Sequence, residues 1–245
     1  MLGRLERGFK RERQFTADAS HELRTPLTAI QTILSVTLQK RRSPEDYEQA
    51  LADLTEETDR LQTLTGGLLE LARSEGMPNT LDQTVDLSTL LQDVSESLRP
   101  LAEAKGLTID RNASEGLTLR GDSDGLIRLF VNLLHNAIQY TQQGEITVTA
   151  SREDKALQVA IADTGCGIRA EQLPRIFDRF YRVDKSRSSR GAGLGLAIAL
   201  EIAHSHGGTI EVTSEIGRGT TFTVWLPGPD ARNGFILKSG TLQVD

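Results

Sequence analysis

Residues 15–26 read FTADASHELRTP, and they set His21 beside the carboxylate of Glu22 in a stretch that is otherwise helical in pattern. A neutral imidazole is a good nucleophile near neutral pH, and a neighbouring carboxylate can take the ring proton as the other nitrogen attacks. Leu23, Leu27, Ile30 and Leu34 recur at spacings of 4, 3 and 4, a seam confined to an arc of about 60° on a helix, with His21 roughly 160° from Leu23. The histidine therefore faces away from the seam, and Thr25 shares its side. Pro26 removes one helix hydrogen bond just beyond. A zinc reading fails, because HELRT lacks the second imidazole of H-E-x-x-H. His21 is either an ordinary polar residue on a solvated face or a displayed nucleophile, and its own segment does not choose.

Four further stretches have the residue types that handle phosphate and a purine. LFVNLLHNAIQYT places Asn132, Asn136 and Tyr140 at i, i+4 and i+8, one line along a helix; carboxamide oxygens there can ligate Mg²⁺ or bond a nucleotide, and the ring can stack on a base. LQVAIADTGCGI runs an alternating strand into Asp163, Gly165 and Gly167. An acid at a strand end can accept from an exocyclic amine, while the glycines let backbone approach a ligand closely. GAGLGLAIA sets Gly191, Gly193, Leu194, Gly195 and Leu196 at a helix start, where free N–H groups favour phosphate. No strand directly precedes it, so a Rossmann reading is poor. GRGTTFTVWLP then supplies a hairpin turn with Gly217, Gly219 and Thr220. Each segment alone also reads as a polar helix edge or a tight turn.

The elements that must position these residues fall into two grammars. No glycine occurs between Gly8 and Gly66, and the apolar periodicity predicts two helices, the second started by Ser43 as cap and Pro44 at the first position. Its seam runs through Tyr47, Leu51, Leu54, Leu61 and Leu68. Such a hairpin has more apolar stripe than it can bury alone, so a four-helix bundle formed by a homodimer is expected. Residues 76–86 read as a linker. Beyond it, helices are predicted over 87–105, 125–140 and 194–206, with strands at 107–109, 117–119, 146–150, 157–162, 210–212 and 222–224. This is a sheet covered by helices on one face. The expected fold is thus an all-α hairpin (1–14 as an entering helix, 15–75 as the hairpin) followed by an α/β sandwich over 87–227.

Composition narrows the function classes. With 245 residues, a net charge of -6 and 25% charged residues, the chain reads as a globular protein whose acidic surface argues against nucleic acid. The one cysteine, Cys166, permits no internal disulfide and suits a reducing compartment. No apolar run approaches the ~20 residues of a membrane span, so no membrane contact by this chain itself is expected.

The conjunction and order of the motifs resemble the sensor histidine kinases. HELRTP is similar to their phosphoacceptor box, NLLHNAIQYT to the N box, DTGCGI to the first glycine box, IFDRFYR (176–182) to the F box, and GAGLGLAIA to the second glycine box. The likeness covers about residues 10–227. It implies a dimerisation and phosphotransfer hairpin and a Bergerat, or GHKL, ATP-binding domain. It also implies that His21 accepts the γ-phosphoryl group of ATP and that Glu22 activates it. Asn136 would hold Mg²⁺, Asn132 would lie near the phosphates, and Asp163 would read the adenine amine with Tyr140 near the base. The glycines, with Leu194, Leu196 and Thr220, would shape the pocket, and 169–192 would form the lid, with Arg182 a phosphate contact. E-x-x-T, here Glu22 to Thr25, resembles a motif implicated in dephosphorylating the partner, the receiver domain of a response regulator. Gln139 stands where many relatives carry Lys, and Gly125 where Arg is frequent. MLGRLERGFKRERQ resembles the close of a HAMP linker, which implies the cytoplasmic portion of a longer membrane-anchored sensor. His204 and His206 fall outside the boxes and read as surface residues, and residues 228–245 have no functional reading. Two other functions compete: an ATPase clamp with the same nucleotide boxes, and a non-catalytic dimeric scaffold.

Overall fold

The computed structural model describes residues 2–76, 83–183 and 193–229, with side chains over 16–69, 83–183 and 193–229. The chain divides into two compact units, residues 1–72 with 178–194 and residues 73–177 with 195–245.

The first unit is built on α1 (Leu2–Leu38) and α2 (Pro44–Gly76). The turn between them is made by local chemistry. Ser43 Oγ accepts from the Asp46 N–H at 3.2 Å and the Asp46 carboxylate accepts from the Ser43 N–H at 3.3 Å, a reciprocal cap that satisfies two otherwise orphaned donors. Arg42 donates to the Val36 carbonyl at 2.8 Å, closing the end of α1. α1 runs on through Pro26, which is buried. The seam is only partly covered: Leu64 is buried, whereas Leu27, Leu34 and Leu51 remain 49%, 44% and 63% exposed. Leaving three leucines in water is costly by about 1 kcal/mol or more each, and a partner surface would recover it.

The second unit contains β1 (Gln83–Asp86), α3 (Leu87–Glu103), β2 (Thr108–Ala113), β3 (Thr118–Gly121), α4 (Ser123–Tyr140), β4 (Glu145–Glu153), β5 (Ala156–Asp163), α5 (Gly195–Ser205), β6 (Thr209–Glu215) and β7 (Gly219–Pro227). Five strands form one sheet in the order β2-β4-β5-β7-β6, with β2–β4 parallel and the other pairs antiparallel. α4 packs on both α3 and α5, and all three helices pack on its strands, so they share one face, as the pattern predicts. Leu129, Phe130, Leu133, Leu134, Val159, Ile161 and Phe222 are among the side chains that fill the space between. The linker read over 76–86 is shorter than expected. Residues 77–82 lie outside the described residues, but 83–86 pair antiparallel with β3 in a second, two-stranded sheet, and Asp86 caps α3 by accepting from the Thr89 N–H at 3.1 Å. No helix among the described residues is long and apolar enough to cross a membrane.

Candidate functional site

In the second unit, three tertiary contacts gather motifs that are far apart in sequence. The first is at the end of α4. A Cβ on Gly165 would lie 2.6 Å from the Tyr140 carbonyl oxygen and 2.7 Å from Asp163 Oδ1, so only glycine lets the loop after β5 lie against the last turn of α4. The Cys166 N–H donates to that same Tyr140 carbonyl at 3.4 Å. Asp163 and Tyr140 are thereby brought together. The second contact sets the start of α5 beside the middle of α4, where a Cβ on Gly195 would lie 3.4 Å from Asn132 Oδ1. The third is the sheet register, which puts Asp163 directly opposite Thr220.

Asp163 is 8% exposed, and its Oδ1 accepts from the Gly165 N–H at 2.8 Å and the Thr220 N–H at 3.2 Å. Its Oδ2 has no partner among the described residues, which leaves one oriented acceptor for a ligand donor. Burial pushes the Asp163 carboxyl above the usual aspartate range, against the pull of those two amide bonds. Thr220 serves this acid. Ser214 Oγ accepts from the Ile168 N–H at 2.8 Å and donates its one proton to the Gly219 carbonyl at 2.9 Å. In the 2.9 Å Ser214–Thr220 contact the threonine is therefore the donor. With its hydroxyl tied back, Thr220 presents its N–H to Asp163. Ser214 is a supporting residue that the motifs did not single out.

Asn132 and Asn136 are half-buried on α4, and Tyr140 is 36% exposed at its end. Lys105 donates to the Ile138 and Gln139 carbonyls at 2.8 and 3.1 Å, putting a cation on the negative end of the α4 dipole. Gly167 is left-handed (φ +70), and a Cβ there would collide with the Glu215 carbonyl. Among the described residues no three His, Cys, Asp or Glu side chains gather to hold a metal by themselves. A Mg²⁺ ion here would reach the protein through a carboxamide such as Asn136 and otherwise be held by phosphate and water, the usual manner for that ion. The residues fit such a group.

Most of the remaining sequence-read residues lie in the first unit. His21 and Thr25 are exposed and Glu22 is half-buried. The Thr25 hydroxyl donates to the His21 carbonyl at 3.2 Å, the ordinary habit of a helical threonine, with its lone pairs still able to accept. Arg182 is half-buried. Gly193 takes φ +69, a Cβ there would lie 2.8 Å from Phe180 backbone, and its carbonyl accepts from the Phe180 N–H at 2.8 Å. Leu194 is buried over Gly67. Leu196 is half-buried at the start of α5 in the second unit. Gly191, and residues 184–192 of the expected lid, lie outside the described residues. One expectation is corrected: His204 is exposed, but His206 is 7% exposed rather than a surface residue. It directly follows α5 and is enclosed by the start of α4, a tertiary packing that its own segment does not encode.

Comparison with known proteins bears on the whole arrangement. Residues 11–76 match the family model of the His Kinase A (phospho-acceptor) domain, and residues 121–230 match that of the histidine kinase-, DNA gyrase B-, and HSP90-like ATPase. This chain belongs to the sensor histidine kinases. It is 38% identical to the sensor histidine kinase CusS of Escherichia coli over 93% of this chain and 48% of that protein. It is 40% identical to the probable sensor protein PcoS of Escherichia coli over 92% and 49%, and 36% identical to the sensor protein SrrB of Staphylococcus aureus over 89% and 38%. The chain thus spans about half the length, or less, of these relatives. Among solved structures, full-length ShkA in complex with AMPPNP superposes with a TM-score of 0.64 at 29% identity, over 90% of this chain and 46% of that one. The histidine kinase ThkA, solved in complex with the response regulator protein TrrA, has the same fold (TM-score 0.72, 24% identity, 89% of this chain and 64% of that one). The phosphoacceptor model takes in His21, and the ATPase model takes in the N box, Asp163 and both glycine boxes.

Proposed function

We propose that this chain is the kinase portion of a longer sensor, an ATP-dependent protein-histidine kinase that phosphorylates His21 and passes the phosphoryl group to an aspartate on the receiver domain of a response regulator. The observation that carries this reading is the convergence of Asn132, Asn136, Asp163, Thr220 and the α5 start in one unit, with an exposed His21 beside a half-buried Glu22 on the hairpin of the other.

In this mechanism Oδ2 of Asp163 accepts from the 6-amino group of adenine, and the ring of Tyr140 packs near the base. The carboxamides of Asn132 and Asn136 and the N–H groups at the start of α5 orient the phosphates. Mg²⁺, bound with ATP, supplies charge neutralisation on the phosphates. A nitrogen lone pair of His21 forms the new N–P bond as the bond from the γ-phosphorus to the leaving oxygen of ADP breaks, and Glu22 takes the ring proton. Two copies associate through the leucine stripe left exposed on α1 and α2, which makes the working form a homodimer. The relatives' greater length and the HAMP-like opening support placing this portion on the cytoplasmic side of a membrane-anchored sensor.

One incubation with γ-labelled ATP and Mg²⁺ tests the reading. Acid-labile, alkali-stable label on the protein is expected; release of free phosphate alone would make the chain an ATPase clamp, and neither product would make it a scaffold. Asn136→Ala is expected to weaken Mg·ATP binding by about tenfold or more, since a ligand to the ion and a phosphate contact go together. Sedimentation should still report the dimer, whose helices are separate from α4. Unchanged Mg·ATP affinity would show that the carboxamide does not serve the nucleotide.

Thr25 separates two activities. Its hydroxyl spends its proton on the His21 carbonyl and keeps lone pairs one turn from the imidazole, where they can orient a water for in-line attack on an aspartyl phosphate. Thr25→Ala is expected to keep autophosphorylation within about threefold but to slow dephosphorylation of the partner regulator by about tenfold, an effect of the size a single positioning contact has. Decay of purified phospho-regulator at equal rates with both proteins, each above the spontaneous rate, would remove Thr25 from that reaction.

A further inference from the structure

The nucleotide chemistry makes no use of His206, yet the structure encloses it and occupies both ring nitrogens. Nδ1 lies 2.8 Å from the Ile202 carbonyl oxygen and Nε2 lies 3.0 Å from the Asp122 backbone nitrogen. A carbonyl can only accept and a backbone N–H can only donate, so the proton is on Nδ1 and the lone pair on Nε2. The ring is a neutral bridge from the last turn of α5 to the residue that caps α4.

Space has been left for it. A Cβ on Gly121 would lie 2.7 Å from His206 Cδ2, and one on Gly125 would lie 2.8 Å from Asp122 Oδ2 and 3.5 Å from His206 Cε1. Neither glycine has a left-handed φ, so the site uses their missing side chains and not their backbone freedom. The glycine at 125 has a local purpose in this light.

The bridge has a counterpart. Asn132 lies ten residues after Asp122 on α4, about 15 Å along the axis at 1.5 Å per residue, and faces Gly195 at the other end of α5. The two helices are antiparallel, in contact at Asn132–Gly195 and pinned at Asp122–His206. A slide of one residue along this pair shifts the start of α5 by about 1.5 Å relative to Asn132 and Asn136, a displacement large enough to spoil phosphate geometry.

We propose that His206 is a positioning residue that sets the axial register of α5 against α4, and through it the spacing between the Asn132 and Asn136 carboxamides and the α5 N-terminus that receive a nucleoside triphosphate. This rests on the reading of those groups as the ATP site. The test compares two substitutions in the full chain. Asparagine carries no polar atom as far out as Nε2 and cannot reach the Asp122 N–H; the amide oxygen of glutamine reaches about that place.

His206→Asn is expected to raise the Kd for Mg·ATP, measured by calorimetry, by about fivefold, the effect of losing one net hydrogen bond, and to lower the labelling rate at saturating ATP as well, because the phosphates sit off their geometry. His206→Gln is expected to bind Mg·ATP within about twofold of wild type, because the acceptor is restored. Equal behaviour of the two variants, whether both intact or both weakened, would overturn the register role. Should His206→Asn not fold, the glutamine variant decides: near-native binding supports the acceptor bridge, and a loss of about fivefold or more in folded protein overturns it. A failure of the ATP-site reading appears differently, as absent Mg·ATP binding in wild type.

Discussion

His21→Gln is expected to abolish acid-labile labelling from γ-labelled ATP while leaving Mg·ATP affinity within about twofold of wild type, since the side chain lies on α1 and no nucleotide contact is assigned to it. A glutamine amide nitrogen has its lone pair delocalised into the carbonyl and does not attack phosphorus, so the loss should be complete. The position is exposed on a long helix, and a surface change of this kind costs within about 0.5 kcal/mol of stability. Dimerisation and the melting temperature should therefore hold. Label persisting on the variant, mapped by peptide to another residue, would show that HELRTP is not the acceptor segment.

Asp163→Asn should separate stability from binding. Asparagine keeps an Oδ1 acceptor for the Gly165 and Thr220 N–H groups, but where Oδ2 stood it presents an NH₂ donor to the donor amine of adenine. Two donors facing each other in a buried site cost several kcal/mol, so Mg·ATP affinity should fall by about 10²-fold or more. Stability should move the other way. Burial raises the carboxyl's folded value above its unfolded one, so between those two values the folded state holds the extra proton. Stability contributed by this group is present below the ordinary aspartate value and is lost as pH rises through the raised folded value. Above that raised folded value the ionised Asp163 is thus a destabilising charge, tolerated for the acceptor it provides. The variant is expected to melt at the same or a higher temperature at pH 7, with a smaller decline on going up from mildly acidic pH. Unchanged ATP affinity would remove Asp163 from adenine recognition, and a markedly lower melting temperature would refute the burial-cost account.

Much of this protein is determined locally. The capped hairpin follows from Ser43, Pro44 and Asp46 with two apolar periodicities, because a helix start and a stripe are short-range properties. The line Asn132–Asn136–Tyr140 and the outward position of His21 follow from helical geometry alone. The tertiary structure decided the rest. β1 has four residues and is a strand only because β3, more than thirty residues on, offers it a ladder. The parallel pairing of β2 with β4 likewise depends on α4 and β3 being crossed over. Asp163 became a buried acid with one oxygen held by two backbone N–H groups through Thr220 across the sheet and Gly165 against α4. His206 lies in a segment that reads as surface, and it is buried because α5 packs antiparallel to α4 with two glycines leaving room for its ring. Burial and hydrogen-bond partners are properties of pairs of elements, so they exist only once the chain has brought those elements together.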